Sequence, residues 1–113
     1  MIAVATCSPV DPATHAALGK SPQQKHAAMQ PLLRSATECI ARAVAADPRF
    51  TARETGLGDL IVDSMAACLV PVRAMIDAHD SYYGSGTGEA FFMGPYLDAL
   101  PTAVDKWVKG AAK

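Results

Sequence analysis

Apolar residues recur at alternating spacings of four and three from Ile61 through Met65, Cys68, Val72 and Met75 to His79, and Leu57, Leu60, Leu69 and Ile76 widen the stripe. This is the pattern of a helix buried along one face. The opposite side carries Asp59, Asp63, Arg73, Asp77 and Asp80, with Arg73 and Asp77 spaced i,i+4 as on a solvated face. Residues 57–80 are therefore predicted to form a central helix. Pro71 opposes the carbonyl of Ala67, so a bend is expected there, with the helix kept whole by the stripe on both sides.

The rest of the chain supplies partners for that helix. Asp11 followed by Pro12, and later Gly19, are start and stop signals around a short first helix. Ser21–Pro22 repeats the start signal, and Pro31 predicts a kink or restart near Gln30 because its ring clashes with the Ala27 carbonyl. Over 31–46, Leu32, Leu33, Ala36, Cys39, Ile40, Ala43 and Val44 share one face, and Arg34, Glu38 and Arg42 the other. Asp47–Pro48 stops this helix, and 47–58 reads as a loop or a short irregular turn. Glycines 84, 86 and 88 break the chain after the central helix, and residues 89–93 are long enough for one turn. Gly94–Pro95 then opens a last helix with Tyr96, Leu97, Leu100, Val104, Trp107 and Val108 on its apolar side, which Pro101 is expected to divide.

β-branched residues never form an alternating run, so the class is all-α: a small single-domain bundle of four to five helices, some kinked by proline, over 11–110, preceded by a flexible segment 1–10. Leu33, Ile40, Leu60, Met65, Leu69, Val72, Leu100, Val104 and Trp107 are its expected core. The 113 residues suffice for one such core. A composition that is 50% hydrophobic and 19% charged, with net charge −1, gives no electrostatic footprint for nucleic acid or an anionic membrane. The opening MIAVATCSP lacks a basic region and an apolar run long enough for a signal peptide or a membrane span, although an exported protein without its leader would begin in the same way.

Two of the three cysteines carry a geometric inference. In an antiparallel hairpin, facing residues have a nearly constant sum of numbers. A turn centred between Thr51 and Gly56 makes that sum about 107, which Cys39 and Cys68 satisfy. Both lie on apolar stripes, so a Cys39–Cys68 disulfide is expected, and with it a periplasmic or secreted location. Two buried free thiols would instead indicate the cytoplasm. Cys7 is left unpaired.

No motif points to a cofactor. The cysteines form no CxxC or CxxCH, and the three histidines no HxxxH or HExxH pair. Asp77, His79 and Asp80 could serve a metal or an enzyme at the end of the central helix, but positions i, i+2 and i+3 converge poorly. The glycine run 84–89 follows a helix, with no strand to make it a nucleotide loop. Asp63, His79, Asp80 and Glu89 are the acid–base candidates, and their spacing forces no pair together.

Aromatic residues are distributed unevenly. Tyr82, Tyr83, Phe91, Phe92 and Tyr96 fall within fifteen residues that also hold four of the eight glycines. Such rings can plug one end of a bundle, but the adjacent pairs must diverge, and Tyr-plus-Gly segments are common on recognition surfaces. The expected function is a small helical binding or adaptor protein, exported on the disulfide argument, that meets a protein partner or small ligand through 82–96. The alternative is an enzyme or metal protein using Asp77, His79 and Asp80. A homodimer through the same aromatic segment is a further expectation.

Overall fold

The computed structural model describes residues 20–111. The segment 1–10, Cys7 and the helix expected over 11–19 lie outside them. Helix α1 (Pro22–Ala46) begins with a capping box: the Gln24 amide donates to Ser21 Oγ at 3.1 Å, and the Ser21 amide to Gln24 Oε1 at 2.8 Å. The kink expected near Gln30 does not occur, and α1 runs unbroken through Pro31. Pro31 and Ala27 are both exposed, so water can take the hydrogen bond that the proline cannot donate.

Asp47 ends α1 in an extended conformation and caps α2 (Pro48–Ala52) by accepting the Arg49 amide at 2.9 Å. The Arg49 guanidinium bridges Asp47 at 2.8 Å and Asp63 at 2.9 Å, tying this turn to the next helix. Arg49 holds the Asp47 carboxyl below its ordinary range through hydrogen bonds from its side chain and its amide.

The predicted central helix is divided. α3 (Leu57–Ser64) passes into a 3-10 turn, Met65–Cys68, and then into α4 (Leu69–Tyr83). The disturbance thus lies one turn ahead of Pro71, and Cys68 leaves the helical well at φ −118°, ψ 21°. Pro71 has no N–H for the Ala67 carbonyl and settles in the first turn of α4, where none is needed. The buried stripe is kept across this turn, from Leu60, Ile61 and Ser64 through Cys68 to Val72 and Met75. Leu69, expected in the core, follows Cys68 by one residue, falls outside the buried stripe and is 58% exposed.

Ala36, Ile40 and Val44 of α1 meet Leu60 and Ile61 of α3, Cys68, and Val72 and Met75 of α4 in one apolar core. Leu33, Met65 and Trp107 border it only partly buried. The antiparallel register of α1 against α3–α4 brings Cys39 and Cys68 to disulfide distance, with Cα atoms 5.9 Å apart.

Beyond Gly84, one helical run extends to the end of the described chain: α5 (Thr87–Phe91), a π turn at Phe92–Tyr96, and α6 (Leu97–Ala111). Gly94–Pro95 therefore widens this helix and does not open it. Pro95 cannot donate to the Phe91 carbonyl, and the Leu97 amide reaches back five residues to the Phe92 carbonyl. The division expected at Pro101 is also absent, since α6 is continuous there. Leu100 and Val104 of α6 complete the core against α1. The described residues are all-α, and none of their helices is long and apolar enough to cross a membrane.

Candidate binding groove

The turn after α4 is built from backbone that suits glycine. Gly84 and Gly86 have φ of 119° and 87°, which folds α5 back onto the last turns of α4. Gly88 is buried in that contact. A Cβ there would overlap the Ile76 carbonyl oxygen and lie 2.8 Å from Asp80 Oδ1. The Gly88 amide donates to the same Asp80 oxygen at 2.7 Å, so Asp80 is a clasp between helix and loop.

His79 points into the other side of this clasp. Thr87 Oγ1 lies 2.6 Å from the Gly84 carbonyl and 2.9 Å from His79 Nδ1. A hydroxyl with one proton that donates to the carbonyl must accept from Nδ1–H, which fixes the tautomer. The imidazole stacks on Phe91 at 4.8 Å between centroids and lies 4.5 Å from Tyr83. Asp77, His79 and Asp80 do not converge, and among the described residues no group of three His, Cys, Asp or Glu side chains is placed to hold a metal.

The five aromatic residues divide by burial. Tyr96 is 7% exposed, and its hydroxyl bonds Thr37 Oγ1 on α1 at 2.8 Å. Burial pushes its phenol above the ordinary value, and the Thr37 hydrogen bond works in the opposite direction. Phe92 stacks on Tyr96 at 5.7 Å and Phe91 lies tilted to it at 6.0 Å, and both are half-buried. Tyr82 is half-buried near Lys20, whereas Tyr83 is exposed, with the Lys25 ammonium 5.4 Å from its ring centroid. Of the five, only Phe92 lines the largely apolar groove described next.

That groove, of about 460 Å³, runs between α4 and the start of the last helical run. Met65, Leu69, Val72, Ile76 and Phe92 form its apolar walls, and Arg73, Asp77, Asp80, Gly86 and Glu89 its polar rim. Its volume lies in the range of small-molecule sites. Comparison with family models, curated proteins and solved structures finds no match. The groove rests on its own geometry. Sequence reasoning assigned Leu69 to the core and Arg73 and Asp77 to a plain solvated face. The proline two residues before Arg73 was the available signal that the helix would be disturbed beside Leu69.

Proposed function

We propose that this chain is a small helical binding protein that takes a partner or ligand in the groove between α4 and the glycine–aromatic segment. The observation that carries the reading is Leu69, a large apolar side chain 58% exposed at the wall of a groove whose floor is already apolar. Segment 82–96 contributes Gly86, Glu89 and Phe92 to this surface, while Tyr96 anchors it to α1. The Cys39–Cys68 pair supports work in an oxidising compartment, periplasmic or secreted.

Nile red fluorescence provides a test, because the dye brightens on entering an apolar site. Leu69→Asn is expected to remove most of the dye signal and leave the melting temperature unchanged, since an exposed leucine contributes little to the core. Phe92→Ala should lower the signal with a modest loss of stability. Dye binding that is indifferent to both substitutions overturns the groove reading.

A further inference from the structure

We infer that the occupant of the groove is an amphipathic helix of another protein, laid along α3 and α4 with its basic end against Asp77, Asp80 and Glu89. This rests on the groove reading above and names the class of partner. The apolar surface does not stop at the groove. Val62, 64% exposed and seven residues before Leu69, continues it on the same side of the helical rod. From Val62 to Asp80 the rod rises about 27 Å at 1.5 Å per residue. A drug-sized molecule does not cover that length, whereas a helix of about five turns does.

Charge is distributed unevenly along the strip. Asp77, Asp80 and Glu89 gather at the loop end of α4, and no ion pair engages them among the described residues. Asp80 uses one oxygen for the Gly88 amide, which leaves the other available. Among the described residues Arg73 is the single cation of the groove lining, one positive charge against three negative. At the Val62 end the neighbouring Asp63 is already held by Arg49. The complementary surface is an apolar face with lysine or arginine gathered at one end.

Two fluorescein-labelled peptides of eighteen residues test this by anisotropy against the full chain at low salt. Each carries leucines at i, i+3, i+4 and i+7 repeats; one has lysines in its last turns and the other glutamates. The lysine peptide is expected to bind about tenfold more tightly, a preference that shrinks with salt. Asp77→Asn combined with Glu89→Gln should bring the two peptides within about twofold, and Leu69→Asn should weaken both about tenfold. Equal binding of the two peptides, lost on Leu69→Asn, overturns the charge assignment and leaves the groove standing. Nile red binding without binding of either peptide overturns the helical partner. Lysine-peptide binding unaffected by Leu69→Asn overturns both readings. A dimer in sedimentation that Leu69→Asn dissociates makes a second copy the occupant and overturns the inference.

Discussion

Gly88 is the residue on which the loop–helix clasp depends, because its Cα lies where a methyl group would meet the Ile76 carbonyl and Asp80. Neither neighbour yields cheaply, one being backbone and the other a hydrogen-bonded carboxylate. Gly88→Ala is therefore expected to destabilise the protein by about 2 kcal/mol or more, read as a lower urea midpoint. Tyr96 makes a different prediction. Its phenol is protonated to higher pH in the folded state than in the unfolded chain, so its stabilising contribution is complete below the unfolded value near 10 and is lost as pH rises through the raised folded value. Unfolding free energies measured from pH 8 to 11 should fall less steeply for Tyr96→Phe. At pH 8 the same variant should lose about 1 kcal/mol with the Thr37 hydrogen bond.

Three of the four proline sites within the longer helical stretches show different local settings. Pro31 leaves α1 continuous at an exposed position, Pro71 follows a 3-10 turn, and Pro95 lies inside a π turn. Pro31 removes a helix hydrogen bond without packing into the core, so Pro31→Ala should stabilise the protein by about 1 to 3 kcal/mol in urea unfolding. Pro71→Ala tests the origin of the 3-10 turn. Restoring the N–H for Ala67 should extend α-helix through 65–68, with a stronger helical circular dichroism signal as the measured result.

For the whole molecule, the Cys39–Cys68 pair closes the hairpin between α1 and α4 across a sequence separation of 29. A loop of that length corresponds to about 3 to 4 kcal/mol in the chain-entropy estimate, a large share of a small domain's stability. Reductant should therefore shift the urea transition strongly to lower concentration, and non-reducing mass spectrometry should show the two thiols protected from alkylation. Cys68 is fully buried in the core and neither cysteine lines the groove, so Leu69→Asn should leave the reductant-dependent shift unchanged.

Periodicity by itself determined the helical class, the facing of α1 and the central stretch, and the register that pairs Cys39 with Cys68, because a 3.6-residue repeat and a short antiparallel connection leave few alternatives. Ile40, Leu60, Val72, Leu100 and Val104 were legible as core for the same reason. The path of the chain at each proline was not legible, since a missing N–H can be absorbed by water, by a 3-10 turn or by a π turn according to what surrounds it. The groove was not legible either: Leu69 lies just outside the buried stripe, and the fold-back at Gly84 and Gly86 brought Glu89 and Phe92 opposite it. Tertiary packing alone decided this, because the placing of residues 69 and 92 along one groove is not encoded in local spacing.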